Sequence, residues 1–214
     1  MARYEVAVTR RRLAAVVAGL ALGVSAVVAG STPASADEQE LAKANLRLAG
    51  GQFVGSAVFL GVNDRVTRVR VALDMPRDRP LPGFHGLHVH ANDDRANGNG
   101  CIADPGQPPA THFVSADGHL AEPGQVHGQH VGDLPPVLLT QDGRARSVTI
   151  TDRLQVADVI GRAVVLHADP DNLGHVPVGA EPTQYTANSP AALDLTARTG
   201  NAGDRVACGV VLRR

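Results

Sequence analysis

In the stretch Gly83-Phe84-His85-Gly86-Leu87-His88-Val89-His90, the last four residues alternate apolar and imidazole side chains with the two-residue period of a β-strand. His88 and His90 therefore share one face, where two imidazoles form a claw for a metal ion. Val89 faces the other way, toward a core. A single His-x-His pair is equally compatible with satisfied sheet residues, so the partners of the pair have to come from elsewhere in the chain.

On both sides of this stretch the chain breaks into short β-like runs separated by turn residues. They span Ala44 to Leu48, Gln52 to Phe59, Val66 to Leu73, Gly86 to His90, Val137 to Thr140, Ala145 to Thr151, Arg162 to His167 and Arg205 to Leu212. Eight such runs without a convincing amphipathic helix predict an all-β fold, an eight-stranded antiparallel Greek-key sandwich or barrel. Gly50-Gly51, Asn63-Asp64 and Asp142-Gly143 read as hairpin-type turns between consecutive runs. Two long stretches, Ala91 to Pro136 and Ala168 to Asp204, are rich in Gly, Pro, Asn and Asp and lack periodicity. Loops of that length in a compact domain are functional or disordered. Four histidines in the first favour function.

The start of the chain reads as a processing segment. Arg3, Arg10, Arg11 and Arg12 precede a small-apolar run from Leu13 to Ala29, and Ala34-Ser35-Ala36 offers a cleavage site before Asp37. Residues 1–36 are expected to be a secretory signal peptide, residues 37–43 a frayed segment, and residues 44–214 the functional domain. Thr9-Arg10-Arg11-Arg12-Leu13 also resembles a twin-arginine signal, so the general and twin-arginine export routes both stand. The expected location is outside the cytoplasm: extracellular, cell envelope or periplasm. Once the signal is removed, no stable membrane insertion is expected.

Removing residues 1–36 takes away four arginines and Glu5. Lys+Arg then falls from 20 to 16, Asp+Glu from 21 to 20, and the net charge from −1 to about −4. That balance argues against nucleic acid as a partner. The two cysteines, Cys101 and Cys208, both lie in the exported part, where one intrachain disulfide is the natural expectation.

Further along lie His112, His119, His127 and His130, with Asp133 in His130-Val131-Gly132-Asp133, and then His167 at the end of a strand. Three imidazoles and a carboxylate form an N3O set suited to tetrahedral zinc. An all-imidazole set on His88, His90 and His167 suits copper or zinc.

At this point the chain resembles the copper-zinc superoxide dismutase family, in its exported bacterial type. The residues that carry the resemblance are His85-Gly-Leu-His-Val-His90, Ser115-Ala-Asp-Gly-His119, His130-Val-Gly-Asp-Leu134, Gly161-Arg-Ala-Val-Val-Leu-His167 and Gly200-Asn-Ala-Gly-Asp-Arg-Val-Ala-Cys-Gly209. They occur in the family's order and cover residues 44 to 212. The resemblance implies copper on His88, His90, His119 and His167, and zinc on His119, His127, His130 and Asp133, with His119 bridging the two. It implies that Asp171 is a carboxylate linking a copper and a zinc ligand and that Arg205 is the arginine at the mouth of the copper channel. It also implies the activity, conversion of two superoxide anions to dioxygen and hydrogen peroxide with catalytic roles for Arg205 and His119.

His112-Phe113 is the rival for the bridging position, with a surface histidine as its alternative. His85 is expected to support a loop, and His175 to lie on the surface. Two departures from the family pattern stand out. His119-Leu-Ala-Glu-Pro123 replaces the usual His-Phe-Asn-Pro, and only Gly128 and Gln129 separate His127 from His130. Two other functions remain open to such a chain: an exported copper- or zinc-binding protein without turnover, and a copper-only dismutase. The sequence does not choose between a monomer and a homodimer.

Overall fold

A computed structural model of the chain describes residues 40–173 and 196–214; the expected signal peptide and His175 lie outside the described residues. The described residues form eight antiparallel strands: β1 Glu40–Leu48, β2 Phe53–Asn63, β3 Val66–Asp74, β4 Gly83–His90, β5 Asp133–Leu139, β6 Arg144–Thr151, β7 Ala163–His167 and β8 Arg205–Arg213. A single helical turn, α1 Val156–Val159, precedes β7, and residues 196–199 form another. All eight expected strands are present and the all-β reading holds.

The strands form one sheet in the order β5-β4-β7-β8-β1-β2-β3-β6. Edge strands β5 and β6 also touch, so the sheet curls into a nearly closed barrel. Its interior is filled by one side of every strand. Leu46, Phe59, Val69, Leu73, Leu87, Val89, Leu139, Val164 and Leu166 are among the buried residues. The alternation is plain in β3, where Thr67, Val69, Val71 and Leu73 are buried and Arg70 and Asp74 are exposed.

Two expectations change. Residues 40–43 do not fray: β1 begins at Glu40, Ala42 is fully buried, and Lys43 pairs with Val58 on one side and Leu212 on the other. Lys43 is a half-buried strand residue whose neighbour Ala42 fills the core.

The turn at Asp142-Gly143 links β5 to β6, but these strands do not form a ladder and sit at opposite ends of the sheet. The reason lies in β5. This strand starts at Asp133, earlier than expected, and includes Pro135 and Pro136, which lack N–H donors and suit an edge position. It pairs only with β4, with a register shift between His85 and Leu87.

The first long loop is folded against the barrel by three 3-10 turns, at Arg95–Asn97, Pro109–Thr111 and Val114–Ala116. A disulfide between Cys101 and Cys208 pins it to β8, with a Cα–Cα distance of 5.5 Å. Around that bridge Phe113, Ala116, Ala163 and Val165 form a second small apolar cluster on the outer side of β7 and β8. The bridge joins positions 107 residues apart. Closure of so long a loop restricts the unfolded chain, and loss of such a bridge costs roughly 2–5 kcal/mol. Reduction of Cys101–Cys208 is therefore expected to lower the unfolding free energy by that order, seen as a lower denaturant midpoint. An unchanged midpoint in the reduced protein would show that the loop is held without it.

Candidate metal centre

β4 and β7 are adjacent, with His88 opposite Val165 and His90 opposite Ala163. The faces of these strands turned away from the main core carry His88 and His90, while Val89 is buried in that core. His167 ends β7, and a single antiparallel bridge sets His119 of the long loop against His90. The four rings are buried and their donor atoms lie within 4.8 Å of one another.

The hydrogen bonds fix which ring atoms face inward. His90 donates from Nδ1 to the Asp117 carbonyl at 2.8 Å, and His167 donates from Nδ1 to the Gly203 carbonyl at 3.2 Å. Their Nε2 atoms, which then carry lone pairs, face each other at 3.3 Å. His88 donates from Nε2 to Asp171 Oδ1 at 2.8 Å, leaving its buried Nδ1 without a hydrogen-bond partner. The Nε2 of His119 is buried in the same condition.

A second set of donors lies on the other side of His119. Its Nδ1 is 3.0 Å from Asp133 Oδ1 and 3.2 Å from His130 Nδ1. The Nδ1 atoms of His127 and His130 are each 3.3 Å from the same carboxylate oxygen. A tetrahedron with bonds of 2.0–2.1 Å has edges of about 3.3–3.4 Å, so this cluster has the dimensions of a ligand shell. His88 also comes within 4.8 Å of His119, His127 and Asp133, but its Nε2 is engaged by Asp171. The closer contacts belong to His130.

Asp133 and Asp171 hold the two sets in place. Oδ2 of Asp133 accepts from the backbone N–H groups of Gly128, at 2.6 Å, and His130, at 3.1 Å. This closes the short His127–His130 turn, with Gly128 at φ +88°, and frees Oδ1 for the imidazoles. Asp171 Oδ1 lies 2.8 Å from His88 Nε2 and 3.5 Å from His127 Nε2, so it spans the two sets. Gly86 packs so closely on Asp171 that a Cβ there would meet Oδ1 at 2.6 Å. A Cβ on Gly200 would collide with the His127 ring.

Arg205, opposite His167 in the β7–β8 ladder, donates to the carbonyls of Phe113 and Asp117. Burial lowers its pKa and the nearby Asp117 charge opposes that shift. Asp117 has φ +66° and ψ −160°, a region essentially reserved for glycine that costs a non-glycine residue roughly 1–3 kcal/mol.

His112 is not part of either set. Its Nε2 lies near the carbonyls of Asp104 and Gln107 in the disulfide loop, so the rival for the bridging position falls away. His85 supports its surroundings as expected, with ring nitrogens against the carbonyls of His167 and Leu81. Sequence reasoning missed Asp117 and the Gly203 carbonyl, because both act through backbone oxygens that any residue type supplies. The 115–119 and 200–209 motifs contain Asp117, Gly200 and Gly203, without showing these roles.

A family model for copper/zinc superoxide dismutase (SODC) matches residues 54–211. The chain belongs to the copper/zinc superoxide dismutase family. Superoxide dismutases [Cu-Zn] of Mycolicibacterium paratuberculosis and Mycobacterium bovis are 37% and 36% identical to it, each over 61% of this chain. Those matches cover 56% and 53% of the relatives, so the matched part spans little more than half of their length. A crystal structure of the clock protein EA4 is also similar, with a TM-score of 0.56 and 26% identity over 80% of this chain and 93% of that one. Copper and zinc are the metals this family implies, and the donor sets of this superoxide dismutase family member fit them: four buried imidazoles converge in one set, and three imidazoles gather around the Asp133 carboxylate in the other.

Burial is the first cause of the depressed pKa of His88, His90, His119 and His167, the last lowered to about 4. Burial works to raise the Asp133 carboxyl, but hydrogen bonds from His119 and His127 outweigh it and hold the group far below the usual carboxylate range. At neutral pH the four rings are therefore uncharged and able to act as ligands. Histidines of the unfolded chain take up protons near pH ~6.5, the folded rings only at lower pH, so the unfolded state binds more protons in between. Stability of the metal-free protein is expected to fall as pH drops from about 6.5 toward 4. Denaturant midpoints across that window measure it, and a flat profile would contradict the neutral, buried state of these rings.

Proposed function

We propose that the protein is an exported superoxide dismutase, with copper held by His88, His90, His119 and His167 and zinc held by His119, His127, His130 and Asp133. The observation that carries this reading is the position of His119. One ring nitrogen lies in the Asp133 cluster while the other, buried and without a hydrogen-bond partner, is left for the three strand-borne imidazoles. Sharing one ring between two cations requires it to lose both protons, which two flanking cations make favourable.

When bound, copper supplies a one-electron couple between its two oxidation states and zinc a fixed positive charge. The overall reaction oxidises one superoxide to dioxygen and, with two protons, reduces another to hydrogen peroxide. Arg205 supplies the positive charge that draws the anion in and orients it. Its two carbonyl partners keep the guanidinium in a fixed plane. Whenever its Nε2 is not held by a metal, His119 is placed to carry one proton there and deliver it to substrate while Nδ1 stays with the Asp133 set. Asp171 sets the tautomer of His88 and ties it to His127.

The sequence supports export through residues 1–36, after which Cys101–Cys208 would form under oxidising conditions. Among the described residues no helix is long and apolar enough to cross a membrane. A second reading, a metal-binding protein without turnover, would give no reason for Arg205 to sit beside the imidazole set.

The direct test is superoxide consumption by purified protein, metal-free and after addition of copper, zinc or both, alongside measured metal content. Catalysis should require copper, and both metals should bind; metal uptake without catalysis would leave the binding-protein reading in its place. Arg205→Ala should lower the second-order rate and flatten its dependence on ionic strength at unchanged copper content. A mutant with wild-type rate and salt slope would remove Arg205 from the mechanism.

A further inference from the structure

One backbone atom, the carbonyl oxygen of Asp117, accepts from both His90 Nδ1, at 2.8 Å, and Arg205, at 2.6 Å. It thus sets the tautomer and tilt of one imidazole of the metal set and the direction of the guanidinium. The carbonyl points there only because Asp117 adopts φ +66° and ψ −160°, where a Cβ is strained and glycine is the usual solution. Here the strained residue is an aspartate, and its side chain is fully engaged. Oδ2 accepts from the N–H groups of Asp93, at 2.7 Å, and Asp94, at 2.9 Å, and Oδ1 accepts from Asn97 Nδ2.

The segment that supplies these donors follows His90 directly and is itself anchored. Arg162, just before β7, donates to the Ala91 carbonyl and pairs with the Asp93 carboxylate at 2.9 Å.

We propose that Asp117 is a positioning residue for His90 and Arg205: its carboxylate, clamped on residues 93–97, holds a glycine-type backbone turn from which one carbonyl directs both side chains. This rests on the dismutase reading for its effect on rate, but not for its effect on the metal site. The alternative is that the main-chain bonds Ala91 N–H to Gly118 and Asn92 N–H to Ala116 hold the turn unaided, with the carboxylate incidental.

The test compares Asp117→Asn, Asp117→Ala and Asp117→Gly in protein loaded with copper and zinc, with metal content measured for each. Asn and Ala both remove the charge, but only Asn retains a side-chain oxygen that can accept. The readouts are the Cu(II) electron paramagnetic resonance spectrum, which reports His90, and the ionic-strength slope of the superoxide rate, which reports Arg205.

The expected result is an Asn variant near wild type in both. The Ala variant should show altered copper hyperfine splitting and a several-fold lower rate with a flatter slope. Gly relieves the strain but lacks the clamp, so it should shift in the same direction as Ala, by less; it also serves if Ala does not fold. An Ala or Gly variant with the wild-type spectrum and slope overturns the proposal, as does an Asn variant displaced as far as Ala, which would mark a charge effect. If the wild-type holoprotein fails to consume superoxide, the dismutase reading fails, and the spectra alone decide the role of Asp117.

Discussion

The structure depends on keeping imidazole lone pairs pointed at one another inside a protein. His90 and His167 each spend Nδ1 on a backbone carbonyl, which leaves two Nε2 atoms 3.3 Å apart with no proton between them. Facing lone pairs repel one another, and a cation bound between the rings would turn that repulsion into attraction. The barrel withstands it because the histidines stand on β4 and β7, paired to each other and, through β7, to β8. The opposite faces of the same strands bury Leu87, Val89, Val164 and Leu166, so shifting either strand by one residue would exchange core for site. Rigidity in the apolar half of the barrel is what fixes the donors in the polar half.

The loops follow from the same constraint. His119 must reach the strand-borne rings with one nitrogen and the Asp133 set with the other, and the long loop that carries it is tied down at several points. The disulfide holds its first half to β8, the His90–His119 bridge holds its middle, and Asp133 closes the turn after His127. Asp171, near the start of the second loop, spans the two sets. That loop's ends are zipped together by Ala168 to Asp204 and Asp169 to Ala202 hydrogen bonds.

Much of this was legible in the sequence because the chemistry is carried by side chains on strands of clear period. His88, Val89 and His90 divide between site and core as alternation requires, and His167 ends β7. The disulfide followed from having only two cysteines. What was not legible is what depends on backbone atoms or on distant partners. Nothing at Asp117 announces that its carbonyl serves His90 and Arg205. Asp142-Gly143 looks like a hairpin turn, yet it joins two edge strands, a fact set by the whole sheet order. The two-residue spacing between His127 and His130 reads as a defect until Asp133 Oδ2 is seen bonded to both Gly128 and His130. Residues 40–43 look too charged for a strand, and only the pairing of β1 with β2 and β8 shows that they form one.

The central claim is that His119 is one ring shared by two metals. Anomalous diffraction at the copper and zinc absorption edges, on crystals of the protein loaded with both ions, tests it most directly. The account predicts two separate peaks, copper about 2 Å from His119 Nε2 and zinc about 2.0–2.1 Å from its Nδ1. A single peak, or two peaks of which only one lies within bonding distance of His119, would contradict it.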